Sequence, residues 1–394
     1  MTFQKEVGTI VKMRIFHTSD VHIESSHPER FDALLTTVDK AKEAKADYLV
    51  IAGDLFDDFE SAMENAVKLR GVFSGLPFKV IIAPGNHDFL IFDSSRDFGE
   101  DSIVLYEDSN VYEDREMGVR FSTVPYSTKL PPSAFMEKLS RLAGRLSPDL
   151  FNIFIFHGDL EEIVQKVGFR RAIAGEEKEG AFSLSLNALK RFPNIKLVLA
   201  GHYHNAGEPM SISEIRGNQF FVYSGSPVSV TKNDSGPRNI VNVEIIEDFA
   251  RVSLSRILLD SFYYEKLSIY LKGTESEPLE EIKKRVDDAL LRGPSSQILL
   301  NISGYVNSAI SLPEAQLKDK LMELSQQVWK ERVVLYQEWY QVQDVASLLE
   351  RSYSRNIIER IDSSSELSDQ EKIKVKDWFI GALGKVYSYR KGKL

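Results

Sequence analysis

Aspartate, asparagine and histidine recur at five places where a short apolar run ends. Arg14-Ile15-Phe16-His17 leads into Asp20-Val21-His22, and Tyr48-Leu49-Val50-Ile51-Ala52 into Gly53-Asp54-Leu55-Phe56-Asp57. Val80-Ile81-Ile82-Ala83-Pro84 is followed by Gly85-Asn86-His87-Asp88. Ile153-Phe154-Ile155-Phe156 stops at His157-Gly158, and Leu197-Val198-Leu199-Ala200 stops at Gly201-His202-Tyr203-His204. Carboxylate, amide carbonyl and imidazole, with no thiolate in the chain, suit borderline-hard divalent ions: Mn²⁺ first, with Mg²⁺, Fe²⁺ or Zn²⁺ as alternatives. Seven potential ligands (Asp20, His22, Asp54, Asn86, His157, His202, His204) are too many for one tetrahedral ion and right for two. A carboxylate shared between two ions, with a bridging water, gives a clamp suited to in-line displacement at phosphorus.

A single histidine is more often packed or solvated than bound to metal. Core packing, however, does not ask for Asp, Asn and His at the ends of five successive apolar runs, so these residues are read together. His17, inside the first run, reads as a hydrogen-bonded structural histidine, and His27 as a loop residue.

The elements that must position these ligands are legible around them. Short β-branched and aromatic runs closed by glycine or a polar residue read as buried strands. In open α/β sheets the ligand site lies beyond the carboxyl ends of such strands. Helical spacing marks the crossovers: Phe31, Leu34, Leu35 and Val38, then Ala62, Ala66, Leu69 and Phe73. Strand, helix, strand implies parallel pairing. From Ser211 to Ile257 the texture changes to short strands, Gln219 to Tyr223, Ile240 to Ile245 and Arg251 to Ile257, expected to complete a second sheet.

A second unit follows. Lys266 to Leu271, Gln297 to Ile302 and Arg332 to Tyr336 read as strands, separated by helices marked by Leu279, Ile282, Val286 and Leu290 and by Leu317, Leu321 and Leu324. Val345 to Ile361 and Ser368 to Tyr389 read as a final helical pair, the second opened by a capping box, Ser368 to Glu371. The fold class is therefore α/β: a two-sheet αββα sandwich over 13–258, a small α/β domain over 261–343 and a helix-loop-helix over 344–394.

The 394 residues exceed one average domain, and 43% hydrophobic with 27% charged residues is ordinary for a globular chain. No run is long and apolar enough to span a membrane. Residues 1–12 lack the apolar core of a signal peptide and read as an extension or a misplaced start. Zero cysteines exclude disulfides and fit a reducing, cytoplasmic setting. A net charge of −9 argues against non-specific nucleic-acid binding by the whole surface, so a polyanion must be held by metals, backbone amides or local basic patches. Arg170-Arg171 and Lys190-Arg191 are candidates, though solvated surface charge is the simpler explanation of them.

The order Asp-x-His, Gly-Asp, Gly-Asn-His-Asp, His, Gly-His-x-His resembles the calcineurin-like metallophosphoesterase superfamily over about residues 13–230. Gly53-Asp54-Leu55-Phe56-Asp57, Tyr223-Ser224-Gly225-Ser226-Pro227, the small domain and the helical pair narrow the resemblance to the SbcD/Mre-eleven family of double-strand-break repair nucleases. That resemblance implies a DNA exonuclease and endonuclease acting on duplex ends, single strands and hairpins. It also implies a cap domain that helps hold DNA, a homodimer, a cytoplasmic, nucleoid-associated setting, and helices that dock an SbcC/Rad-fifty-type SMC-like ABC ATPase. It assigns Asp20, His22, Asp54 and His204 to one ion and Asp54, Asn86, His157 and His202 to the other. His87 becomes a general acid or transition-state donor. Asp57 stands where many members carry histidine, and is expected to accept the other ring N–H of His87 and fix its tautomer.

Other classes remain open on the same motifs. A protein phosphatase would carry arginine just after its second aspartate to grip a dianion, where this chain has Asp58, and Gly-Asn-His-Glu rather than Gly-Asn-His-Asp. A small-molecule or nucleotide phosphodiesterase shares every ligand. A catalytically dead scaffold would lack one, and none is missing.

Overall fold

The computed structural model describes residues 11–92, 97–107, 111–126, 131–165, 182–205, 212–246, 251–345 and 352–390. These fall into two compact units, divided between Tyr263 and Tyr264. Arg170, Arg171, Leu348 and Leu349 lie outside the described residues.

In the first unit, one sheet is built from β1 (Val11–Thr18), β2 (Tyr48–Ala52), β3 (Lys79–Ala83), β4 (Ser102–Val104), β13 (Asn239–Ile246) and β14 (Arg251–Leu258), ordered β14-β13-β1-β2-β3-β4. The other holds β5 (Val111–Asp114), β6 (Val119–Thr123), β7 (Phe151–His157), β10 (Ile195–Gly201), β11 (Ile212–Arg216) and β12 (Gln219–Tyr223), ordered β11-β12-β10-β7-β6-β5. A short parallel pair, β8 (Asp159–Leu160) and β9 (Ser183–Leu184), lies beside them in sequence. Within each sheet the central strands are parallel, so their carboxyl ends share one edge.

Why the motif strands are apolar throughout follows from their two buried faces. Tyr48, Val50 and Ala52 of β2 enter the core between the sheets together with Ile15, Ile81, Ile153, Ile155, Leu197 and Leu199. Leu49 and Ile51 point the other way, onto α1 (Pro28–Glu43) and α2 (Phe59–Val72), where they meet Leu34, Val38, Ala62 and Leu69. The outer face of the second sheet is covered in the same way by α3 (Pro132–Ala143) and the single turn α4 (Leu186–Leu189), through Phe135, Leu139 and Leu189 against Phe154, Phe156 and Val198. Each such side chain contributes about 1.5–3 kcal/mol on full burial. The layers are helix, sheet, sheet, helix, the expected αββα sandwich.

The strands after His204 differ from the expectation. Only β11 and β12 join the second sheet; β13 pairs antiparallel with β1, Ile15 opposite Val243 and Phe16 opposite Asn242, and carries β14 to the edge of the first. Val241, Val243 and Ile245 alternate into the core between the sheets, where either sheet could have received them.

The second unit has a four-stranded sheet of β15 (Tyr263–Lys272), β16 (Ser296–Val306), β17 (Val333–Val334) and β18 (Tyr340–Asp344), with β16 parallel to β17 and to β18. α5 (Pro278–Arg292) and α6 (Glu314–Gln327) pack Ile282, Val286, Leu317 and Leu321 on Ile269, Leu271, Ile298 and Leu300. The strand expected over 332–336 is reduced to β17, and a short 3-10 turn at Gln337–Trp339 leads into β18 instead. α7 (Ser352–Ser363) and α8 (Asp369–Arg390) end the described chain. The capping box forms as read: Ser368 Oγ and the Ser368 N–H both donate to Glu371 Oε2, at 2.7 and 2.9 Å. Ile380 and Leu383 of α8 pack with Val345 on Tyr305 of β16, while Ile373 and Trp378 stay 60% and 76% exposed.

Candidate metal centre

The parallel strands deliver the expected residues to one edge of the first unit. Asp20 and His22 follow β1, Asp54 follows β2, Asn86 and His87 follow β3, His157 ends β7, and His202 and His204 follow β10. The two sheets are stitched together here. His157 Nδ1 donates to the Ala52 carbonyl at 2.9 Å, and the His202 N–H donates to both Asp20 carboxylate oxygens at 3.0 Å. That close approach explains the glycines before the ligands. A Cβ on Gly53 would stand 2.0 Å from His157 Nδ1, and one on Gly201 would stand 2.1 Å from the Ala52 carbonyl oxygen. Either substitution would force the sheets apart.

Four of the seven ligand-type residues hold backbone conformations that side chains disfavour: Asp20 (φ 55°), His22 (φ 51°), Asp54 (φ 50°) and His202 (φ 108°). Such strain costs about 1–3 kcal/mol per residue and concentrates at functional sites. Asp88 anchors the turns: its buried carboxylate accepts from the N–H groups of Gly85 (2.7 Å), Leu55 (2.7 Å) and Phe56 (3.2 Å). Burial and the neighbouring Asp54 charge push it up to about 7.

Asp54 lies at the middle of the cluster. Its Oδ1 accepts the His87 N–H at 2.9 Å, and its Oδ2 is 3.2 Å from His157 Nε2 and 3.7 Å from His22 Nε2. Asn86 Oδ1 is 3.0 Å from His157 Nε2. Three overlapping triads, Asp20-His22-His204, His22-Asp54-His87 and Asp20-Asp54-His157, each bring one ligand atom per residue within 4.8 Å of one another. The donor set fits divalent ions on this geometry. His22 Nε2 is buried, has no hydrogen-bond partner, and faces a carboxylate, a position that suits a metal ligand.

Hydrogen bonds assign the tautomers. His22 Nδ1 donates to Asp57 Oδ1 at 2.9 Å and His204 Nδ1 to Asp234 Oδ2 at 3.0 Å, so that Nε2 would be the atom to meet a metal in both. The Asp57 carboxylate thus serves His22, not His87 as the motif spacing suggested. His87 Nδ1 donates instead to the Asp57 carbonyl oxygen at 3.0 Å. Both rings are within reach of residue 57, lying 4.7 Å apart, and the side chain turns to the buried one, where Arg30 Nη1 also approaches at 3.5 Å. His17 is structural, buried with Nε2 3.2 Å from the Ala200 carbonyl, and His27 caps α1 beside Glu29. Asp88, Asp234 and Arg30 were not singled out from sequence; Asp234 sits in an ordinary Asn-Asp-Ser-Gly turn thirty residues after His204, with no local mark of its role.

The cluster asks for positive charge. In His157, burial lowers the imidazole pKa but the Asp54 charge and hydrogen bond overcome it, raising the group to about 10. Burial holds His22 below its ordinary value, despite Asp57. A cation held by His157 Nε2 would displace the proton from that ring. Mn²⁺ affinity is expected to rise with pH by about tenfold per unit across the neutral range, for one proton released. Calorimetry in buffers of different ionisation enthalpy counts that proton; a count of zero would contradict the assignment.

Residues 13–206 match the calcineurin-like phosphoesterase family. The DNA double-strand break repair protein Mre11 of Methanosarcina mazei is 22% identical over 332 residues, covering 77% of this chain and 47% of its own length. The protein of the same name from Methanosarcina acetivorans is 23% identical over 324 residues, covering 77% and 48%. The chain thus spans about half the length of the curated relatives it matches. A solved protein of Thermus thermophilus aligns with 62% of this chain and 99% of its own, at 15% identity and a TM-score of 0.38. With the αββα layers and the strand-end cluster in agreement, residues 13–206 form a calcineurin-like phosphoesterase domain, and the chain is similar to the two Methanosarcina Mre11 proteins.

Proposed function

We propose that this chain is a two-metal DNA nuclease that hydrolyses phosphodiester bonds during double-strand-break repair, as the nuclease subunit of an SMC-like ATPase complex. The observation that carries this reading is that Asp54 lies within reach of His22 and His157 and shares overlapping triads with Asp20, while Asn86 Oδ1 is 3.0 Å from His157 Nε2 and the His202 ring is 5.4 Å from that of His157. Asp20, His22, Asp54 and His204 would hold one ion, and Asp54, Asn86, His157 and His202 the other. Two such ions, Mn²⁺ first among candidates, would supply a water-derived nucleophile and stabilise charge on the phosphate oxygens. His87 is exposed at the edge of the cluster with Nδ1 committed as a donor, so Nε2 is the atom that exchanges a proton with the leaving oxygen. DNA as substrate is supported by the similarity to the two Methanosarcina DNA double-strand break repair proteins.

A homodimer belongs to this reading, supported by Phe59, Met63 and Val67, spaced four apart on α2 and 53%, 53% and 75% exposed. The ATPase partner is supported by Ile373 and Trp378, which α8 leaves exposed and which suit an apolar helix-to-helix contact. No described helix is long and apolar enough to cross a membrane. Replacing both residues, I373E with W378A, is expected to weaken capture of a coiled-coil ATPase in a pull-down by about 30-fold or more, the scale of losing an aromatic anchor. Metal-dependent cleavage by the isolated chain should be unchanged.

The assay that tests the function uses end-labelled duplex and single-stranded DNA with Mn²⁺, a chelated control, and bis-nitrophenyl phosphate in parallel. Cleavage of DNA that stops on chelation supports the reading. Cleavage of the small ester alone would replace it with a small-molecule phosphodiesterase.

A further inference from the structure

The imidazoles of the metal centre are not supported alike. Behind His22 stands the Asp57 carboxylate at 2.9 Å, and behind His204 the Asp234 carboxylate at 3.0 Å. A buried arginine stands beside the first carboxylate, and another lies in the field of the second. Arg30 Nη1 reaches Asp57 Oδ1 at 3.5 Å and the His22 carbonyl at 2.9 Å. Arg238, 3% exposed, bonds Asn205 Oδ1 at 3.4 Å and lies in the field of Asp234. In the other set, His157 donates its Nδ1 proton to a neutral acceptor, the Ala52 carbonyl, and His202 has a carboxylate, Asp159 Oδ1, 3.6 Å from Nε2, beyond hydrogen-bond reach.

A carboxylate accepting the remote ring N–H makes the other nitrogen a stronger donor to metal and locks the ring in the ligating tautomer. A peptide carbonyl fixes the tautomer without adding negative charge. We propose that Asp57 and Asp234 are positioning residues that make the subsite of Asp20, His22 and His204 the tighter of the two, so that the ions load in a fixed order. This rests on the two-metal reading above. Two separate chain segments carry the same arrangement, Asp57 ahead of α2 and Asp234 in the turn before β13, which makes the pairing a property of the subsite rather than of one loop. Asp234 is itself fixed by the Thr231 N–H at 2.8 Å and Thr231 Oγ1 at 3.0 Å, so its carboxylate is held in place before any ion arrives.

The test is calorimetric titration of the full chain with Mn²⁺, with electron paramagnetic resonance to count bound ions. The wild-type chain should show two resolved steps. D57N and D234N should each weaken the tighter step by about 10–100-fold, the usual cost of losing such a partner, and leave the weaker step in place. T231V, which removes one of the two Thr231 bonds that hold Asp234 but keeps its carboxylate, should weaken the tighter step by less than D234N does, and circular dichroism confirms folding of each variant. If D234N does not fold, D57N alone decides. Two steps of equal affinity in the wild type, or a tighter step unmoved by D57N, would overturn the inference while leaving the two-metal reading intact. A wild-type chain that binds fewer than two ions would overturn that reading itself.

Discussion

Asp54→Ala is expected to leave at most one divalent ion on the chain and to lower turnover by more than about 10³-fold, several kcal/mol of lost charge stabilisation. Among the described residues no other carboxylate oxygen stands, as Asp54 Oδ2 does, 3.2 Å from His157 Nε2 and 3.7 Å from His22 Nε2 at once. Its removal also strips the acceptor from the His87 N–H, which is 2.9 Å away. Because residue 54 holds a positive φ of 50°, alanine there adds backbone strain, and Asp54→Asn is the cleaner companion: it keeps the shape and removes the charge. Elemental analysis beside the DNA cleavage assay reads both effects. Two ions still bound with unaltered affinity would show that the bridging carboxylate lies elsewhere.

His87→Ala should do the opposite, keeping both ions while turnover falls by roughly 10²-fold or more, the scale of a lost general acid or transition-state donor. The difference follows from position. His87 is exposed, and its ring is anchored by a peptide carbonyl, whereas His22, 4.7 Å away, is buried against Asp54. Calorimetric Mn²⁺ titration and single-turnover cleavage of the same variant separate the two properties. Loss of metal as severe as in His202→Ala would make His87 a ligand and remove it from the chemistry.

The strand-end cluster was legible in the sequence because a buried parallel strand leaves few uses for Asp, Asn or His at its carboxyl end, and five strands repeat the pattern. The layers followed from runs such as Tyr48 to Ala52, apolar at every position because both faces are covered. Two kinds of fact were not legible. Which imidazole Asp57 supports depends on a choice between neighbouring rings, and sequence spacing is the same for either. Asp234 and Arg30 act through contacts that only the folded chain creates, at 3.0 Å to His204 and 2.9 Å to the His22 carbonyl. The destination of β13 was hidden for a related reason: alternating valines and isoleucines specify a half-buried strand, and its register with β1 is a tertiary choice.

The most direct test of the two-metal centre is an anomalous difference map from a crystal of the chain soaked in Mn²⁺. Two peaks about 3.5–4 Å apart, the separation typical of such sites, should lie on either side of the Asp54 carboxylate, one toward His22 and His204 and the other toward His157 and His202. A single peak, or a pair that Asp54 does not bridge, would contradict the account.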